Sequence, residues 1–371
     1  MQKIIEGRTM GTDESVIRVA VGGQGRSGYK IHSSWLHKIP EQFKIVAVSD
    51  QLAERRKEAK AEFGARTYSD WKPMIKKGGF DLFVNALPTP FHVEASVMAL
   101  NSGSHVVCEK PSARSVKDFD RIVAASKKNK RVFAPFQNNR LQPYFDKMLE
   151  VIDSGVLGKI VYIRSSWSGF SRRWDWQTLQ ENWGGNLLNT GPHAVDQALA
   201  LFGWRRTPKV FCRMDCNNPF EGDANDHCTV TLYDPKRVAP QIDIIISSYV
   251  AYSQGDTYNI CGTHGGMTGG SSKLTWRYFD AEKATQHKMW KWSVDRQYTR
   301  ENLDWIEETW TPSKAEKEAS GQAKFYENLY EVIRRRGKLI ITPAQARKQI
   351  AVIEESHKQN PLPRRKKRKS R

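Results

Sequence analysis

Cysteine is scarce in this chain: five in 371 residues, an odd number without framework spacing, which excludes a disulfide-stapled scaffold and fits reduced thiols. Cys212 and Cys216 lie close together, but no second Cys or His pair answers them, so no metal site is expected. No apolar run approaches the ~20 residues of a membrane helix. The polar start, residues 1–15, has no hydrophobic signal segment, so a cytoplasmic protein is expected. No internal repeat is seen. Acidic residues are outnumbered, 40 against 59 Lys and Arg, for a net charge of +19. That excess is uneven. Residues 364–371 read Arg-Arg-Lys-Lys-Arg-Lys-Ser-Arg after Pro361 and Pro363, a run expected to be a disordered tail with weak attachment to polyanions and no further nucleic-acid role.

What the chain does have is enough hydrophobic (39%) and aromatic (11%) content for two globular domains. Its first third alternates strand-like runs at 16–22, 43–49, 81–87, 104–108 and 131–136 with helical segments. This pattern predicts right-handed βαβ units and a doubly wound parallel sheet with ligands at the strand C-terminal ends. The run 16–22 leads into Gly23-Gln24-Gly25-Arg26-Ser27-Gly28 and then a helix. In a G-x-G-x-x-G loop the first glycine permits the turn, the second admits a pyrophosphate and the third lets helix and strand close up. The helix N-terminus adds free N–H groups and a partial positive charge. Asp50 ends the second strand, roughly 20 residues on, where an acid bonds the adenosine ribose and repels a 2′-phosphate. NAD is therefore expected, with Arg55 and Arg56 keeping NADP open. Leu87-Pro88-Thr89-Pro90, Lys110 and Gln137 also fall just past strand ends and should converge on the same crevice.

Beyond Leu141 the pattern changes to a helix, a strand at 159–168, a loop rich in Trp and Arg, and a helix over 192–202. Runs at 208–214, 227–234, 241–250, 257–262 and 273–279 then follow without intervening helices, which predicts an antiparallel sheet in a second, α+β domain. Late helices are expected near 315–336 and 343–358, the second capped by Thr342 with Pro343 at its first position. The expected division is an extension over 1–15, a Rossmann domain over 16–137, a substrate-binding domain over 138–360 and a tail over 361–371.

Four stretches carry a resemblance over nearly the whole chain: the glycine loop, Asn85-Ala86-Leu87-Pro88-Thr89-Pro90-Phe91-His92, Cys108-Glu109-Lys110-Pro111, and Gly184-Gly185-Asn186-Leu187-Leu188-Asn189-Thr190-Gly191-Pro192-His193 with Asp196. In order and spacing they resemble the glucose-fructose oxidoreductase, inositol dehydrogenase and MocA (Gfo/Idh/MocA) family of sugar and cyclitol oxidoreductases. The segment Gly155-Val156-Leu157-Gly158-Lys159-Ile160 is similar to that family's lead-in to a large open sheet. The resemblance implies a dinucleotide held by Gly23, Gly25, Arg26, Ser27, Gly28, Asp50, Leu87, Pro88, Thr89, His92, Glu109, Lys110 and Gln137. It implies that Lys110 lies beside the nicotinamide and bonds the hydroxyl being oxidised, and that the protein forms homodimers or tetramers.

Within this frame His193, following Pro192 in the first turn of a helix, is the expected proton acceptor, because the positive end of the helix dipole favours a neutral ring. Asp196, three residues on, shares its face and could orient the ring. Asn189 stands where many members carry Asp; an amide cannot take a proton but can bond a hydroxyl, or it simply precedes and caps the helix. Sugars present hydroxyl edges and apolar faces, which suits Gln137, Asn139 and Arg140 and the loop Arg172-Arg173-Trp174-Asp175-Trp176 as substrate contacts; the same loop could equally be an interface segment. The expected activity is NAD(P)-dependent oxidation of a secondary hydroxyl on a sugar, cyclitol or derivative. The alternatives are a glycoside-cleaving enzyme using transient oxidation by NAD, and a non-catalytic dinucleotide-binding regulator.

Overall fold

The computed structural model describes residues 16–252, 254–292, 296–318 and 321–364. The expectations for 1–15 and for the basic run beyond Arg364 lie outside the described residues. The described residues divide into two compact units, one formed by those up to Gln137 with Gln322–Ile350, the other by those of Asn138–Gly321 with those from Ala351 on.

In the first unit β1 (Ile17–Gly22) runs through a π-helical turn (Ser27–Ser33) into α1 (Ser34–Leu36), followed by β2 (Phe43–Ser49) and α2 (Ala53–Phe63). Next come β3 (Arg66–Tyr68), α3 (Trp71–Lys77), β4 (Leu82–Asn85), α4 (His92–Asn101), β5 (His105–Cys108), α5 (Val116–Asn129) and β6 (Phe133–Pro135). The sheet order is β3-β2-β1-β4-β5-β6, all parallel. Sequence order reverses between β1 and β4, the switch point at which a crevice opens beyond the strand ends. The central strands are buried on both faces, every residue of β4 included, as their unbroken apolar runs require in a helix-covered parallel sheet. β3, too short and polar for a periodic signal, was not legible as a strand.

In the second unit α6 (Pro143–Asp153) precedes β7 (Ile160–Ser166), and α7 (Asn186–Asn189) leads directly into α8 (Gly191–Phe202). The remaining strands are β8 (Lys209–Asp215), β9 (His227–Tyr233), β10 (Gln241–Ser247), β11 (Tyr258–Gly262), β12 (Gly265–Gly269), β13 (Leu274–Phe279) and β14 (Trp305–Trp310), followed by α9 (Lys314–Glu318). They form one eight-stranded sheet, β14-β13-β12-β11-β7-β10-β9-β8, antiparallel except for the β7–β10 pair. Burial alternates along β9 and β10: Cys228, Val230, Leu232, Ile242, Ile244 and Ile246 face a core completed by Phe145, Met148, Val195, Leu199 and Phe202 of α6 and α8. The opposite face is polar, with the cross-strand row Phe211, Thr231, Asp243, Arg164, Asn259, Thr268, Thr275 and Thr309 running over all eight strands. The glycine-rich β12 and the exposed edge strand β14 carry no alternating apolar signal and were not anticipated.

Two boundaries need correcting. The expected second domain, 138–360, is not continuous, because Gln322–Ile350 belongs to the first unit. The cause is the apolar stripe of α10 (Gly321–Arg335): Phe325 sets its ring 4.7 Å from Phe136, and Tyr326 lies 5.5 Å from Phe43. α11 (Pro343–Gln359) starts at a reciprocal cap, Gln345 N–H donating to Thr342 Oγ1 at 3.3 Å and Thr342 N–H to Gln345 Oε1 at 2.9 Å. Nor does the free tail start at 361. Leu362 packs against the second unit's core, and the Pro363 carbonyl accepts from Gln180 Nε2 at 3.0 Å.

Candidate active site

Parallel register brings the C-terminal ends of five strands into one row, with Gly22 opposite Ser49 and Asn85, Asn85 opposite Cys108, and Cys108 opposite Pro135. Gly23, Asp50, Glu109 and Phe136 are the residues that follow. Gly23 has φ +87°, open to few residues but glycine, and a Cβ there would meet the Ala86 carbonyl oxygen at 2.5 Å. At Gly28 a Cβ would stand 1.8 Å from the Gly23 carbonyl oxygen, so only glycine lets helix and strand close. Gly25 differs: its φ is not positive, and an added Cβ would meet nothing nearer than Arg55 Nη1 at 3.8 Å. Nothing within the fold requires glycine at 25. The backbone at 25 is open to close approach, a cradle that fits a pyrophosphate.

Asp50 organises this loop from within. Its carboxylate accepts from Gln24 N–H at 2.8 Å and Leu52 N–H at 2.9 Å, with Arg55 Nη1 at 3.4 Å. A carboxylate has about four acceptor sites, so one remains for a ribose hydroxyl. Arg26 is exposed at the helix start and Ser27 half-buried behind it. Past β4, Leu87 is half-buried, Pro88 exposed and Thr89 buried. Gln137 is 2% exposed and its Oε1 has no hydrogen-bond partner, the kind of orphaned acceptor that a hydroxyl or carboxamide satisfies.

Two residues expected to touch the dinucleotide face inward instead. Both ring nitrogens of His92 are committed, Nδ1 to the Pro111 carbonyl and Nε2 to the Leu87 carbonyl, each at 2.8 Å. Burial disfavours the charged ring, but the Cys108 sulfur and these two carbonyl acceptors outweigh it and raise the pKa to about 9. As an imidazolium, His92 donates to both and clamps the Leu87 loop to the Lys110-Pro111 turn. Glu109 likewise turns its carboxylate into the protein, Oε1 lying 3.2 Å from His32 Nε2 and Oε2 accepting from Lys110 N–H at 3.0 Å. Burial would raise its pKa; the hydrogen bond and electrostatic attraction of His32, then the Lys110 charge and the Lys110 N–H, hold it down to about 2. Lys110 itself is half-buried in the row of strand ends.

In the second unit, Arg140 is corrected from substrate contact to core ion pair. It is 8% exposed, its Nε donates to Asp196 Oδ2 at 2.6 Å and its Nη2 to Oδ1, and its guanidinium stacks 4.4 Å from the Trp204 ring centre. Asp196, 1% exposed, is therefore spent on Arg140 rather than on orienting the His193 ring. Gln197 Nε2 donates to the Asn139 carbonyl at 2.6 Å, fixing that backbone and leaving the Asn139 side chain half-buried. Asn189 closes α7, and His193, also half-buried, lies in the first turn of α8. Trp176 is 44% exposed at the head of a short helical turn capped by Asp175. Gln177, next in the chain, helps line a small open cleft together with Arg172, Arg173, Asn186, Asn218 and Tyr249. Among the described residues, no group of three or more His, Cys, Asp or Glu could hold a metal, and no helix is long and apolar enough to cross a membrane.

Residues 17–136 match the family model described as an oxidoreductase family with an NAD-binding Rossmann fold, and residues 145–268 match the GFO/IDH/MocA C-terminal domain. The chain belongs to the Gfo/Idh/MocA family. It is 28% identical over 257 residues to the uncharacterized oxidoreductase C26H5.09c of Schizosaccharomyces pombe, 67% of this chain and 69% of that protein. It is 28% identical over 207 residues to the D-glucoside 3-dehydrogenase of Escherichia coli, 53% of this chain and 57% of that enzyme. The WlbA dehydrogenase of Bordetella pertussis, solved with NADH and UDP-GlcNAcA, shares the fold with a TM-score of 0.73 at 21% identity, over 93% of this chain and 96% of that one. The chain is thus an oxidoreductase of an NAD(P)-binding family, with NAD as the expected dinucleotide and NADP a possible one.

Motif reasoning overlooked His32 and Tyr326, which meet behind Glu109. His32 sits in the π-helical turn after the glycine loop and Tyr326 on a late helix, and neither belongs to a motif. Only the amphipathic pattern of the late helix could have hinted that one of its aromatic residues was buried.

Proposed function

We propose that the chain is an NAD-dependent dehydrogenase acting on a secondary hydroxyl of a sugar, cyclitol or derivative. The reading is carried by the position of Lys110, two residues past the end of β5 in the same row of strand ends as the glycine loop, with Glu109 anchored beneath it. Gly23, Gly25, Ser27 and Gly28 hold the pyrophosphate, Asp50 the adenosine ribose, and Leu87, Thr89 and Gln137 line the crevice beyond. Bound NAD supplies the hydride acceptor. Lys110 holds the substrate hydroxyl and stabilises the negative charge that grows on its oxygen, an effect worth several kcal/mol when the donor is preorganised. His193 takes the hydroxyl proton, which the Asn189 amide cannot do; Asn189 bonds a neighbouring hydroxyl and orients the ring. Asn139 and Trp176 complete recognition of the polar edge and apolar face of the sugar. The D-glucoside dehydrogenase among its relatives supports a carbohydrate substrate. NAD is preferred over NADP because Asp50 repels a 2′-phosphate, a preference tempered by Arg55 beside it.

The test is a panel of sugars, cyclitols and glycosides with NAD, following reduced dinucleotide on the wild type, Lys110→Ala and His193→Asn. A member of the panel oxidised by the wild type, with turnover abolished in Lys110→Ala and lowered at least ~10²-fold in His193→Asn, is the expected result. Cleavage of a glycoside with no net reduced NAD would replace dehydrogenation with transient oxidation. Full turnover in both variants would overturn the assignment.

A further inference from the structure

Three side chains that belong to no motif, or face away from the crevice, form a continuous buried chain behind Lys110. The Tyr326 hydroxyl lies 2.7 Å from His32 Nδ1, His32 Nε2 lies 3.2 Å from Glu109 Oε1, and Glu109 Oε2 accepts from Lys110 N–H at 3.0 Å. Tyr326 and His32 are 0% exposed and Glu109 is 5% exposed. Phe136, 4.5 Å from the His32 ring, and Phe43, 5.5 Å from Tyr326, wall the chain off from water. Burial keeps the phenol protonated, so Tyr326 can donate to His32 Nδ1, and because a carboxylate only accepts, His32 Nε2 donates to Glu109. Glu109 is the anion of this chain and adjoins Lys110. An ionised carboxylate buried without purpose is costly, since an apolar group of the same volume packs there as well or better.

We propose that Tyr326, His32 and Glu109 are positioning residues for the reaction: a buried hydrogen-bond chain that fixes the Lys110 backbone and sets an anion beside its ammonium. This rests on the role proposed above for Lys110. His32 and Lys110 are the titratable groups facing Glu109, and Tyr326 and Glu109 those facing His32. The segment carrying Tyr326, far along the chain, is thereby tied to the crevice of the first unit.

The full-length protein is compared with Tyr326→Phe, His32→Gln, His32→Leu, Glu109→Gln and Lys110→Ala. Glutamine at 32 can still accept from Tyr326 and donate to Glu109, whereas leucine only fills space. Ring ¹⁵N shifts of the ligand-free protein should show His32 protonated at Nε2, and Tyr326→Phe should move the Nδ1 signal. Glu109→Gln should lower kcat about 10-fold or more while KM and the NAD dissociation constant stay within roughly threefold. His32→Gln should recover most of the kcat that His32→Leu loses. Should His32→Leu fail to fold, Tyr326→Phe still decides, because it removes only a hydroxyl: unchanged ring shifts and kcat overturn the proposal. So does His32→Gln no better than His32→Leu, or full kcat in Glu109→Gln where Lys110→Ala is dead. Turnover surviving in Lys110→Ala would instead remove the role of Lys110, and this inference with it.

Discussion

Gly25→Ala separates a glycine kept for a ligand from one kept for the fold. A methyl group at 25 meets only Arg55 Nη1 at 3.8 Å and faces no positive φ, so folding has no reason to resist it. Alanine at a compatible glycine site stabilises by about 0.4–1 kcal/mol through the unfolded chain. The melting temperature without ligand should therefore hold or rise slightly. The same methyl obstructs a pyrophosphate lying on the loop backbone, and inserting one such group into a filled contact costs typically 1–3 kcal/mol. The NAD dissociation constant should rise roughly 5- to 150-fold. Gly28→Ala is the contrasting case: its Cβ would sit 1.8 Å from the Gly23 carbonyl oxygen, so stability and binding should fall together. Calorimetric titration with NAD and thermal melts of the ligand-free variants measure both quantities. A Gly25→Ala protein that melts like the wild type and binds NAD just as tightly would refute the pyrophosphate cradle.

Calorimetry should find NAD bound more tightly than NADP because of Asp50; NADP tighter by tenfold, about 1.4 kcal/mol, would refute that assignment. Arg140→Ala strands the Asp196 carboxylate in the core and should cost about 3–5 kcal/mol in denaturant unfolding; if it raised KM without destabilising, the residue would be a substrate contact after all. His92 has a folded pKa raised from 6.5 to about 9, so the stability it contributes, about 3 kcal/mol at most, is complete below pH 6.5 and lost as pH rises through 9. Glu109, lowered from 4.5 to about 2, works in the opposite sense: its share is complete above pH 4.5 and lost as pH falls towards 2. His92→Gln should flatten the alkaline limb of a stability–pH curve and leave the acid limb in place. Truncation after Arg364 should leave kcat unchanged and reduce only salt-sensitive retention on polyanions; a large fall in kcat would bring the basic run into the active site.

Local order along the chain determined much of this protein. A glycine loop between a β-branched run and a helix, an acid at the next strand end and a Lys after the fourth recognised strand are legible because each belongs to one βα unit, where spacing in sequence dictates spacing in space. Alternation in β9 and β10 likewise announced a half-buried sheet. Side-chain direction was another matter. His92, Glu109 and Arg140 were polar residues in suggestive places, and what turns each inward is a partner distant in sequence or a burial that spacing does not encode: Pro111 and Leu87 carbonyls for His92, Asp196 for Arg140, and His32 with Tyr326, 294 residues apart, behind Glu109. A buried charge or hydrogen-bonding atom has to find its complement wherever the folded chain supplies one. Behind Glu109 the chain is completed only when α10, from late in the sequence, brings Tyr326 to His32, and no stretch of sequence read by itself contains that contact.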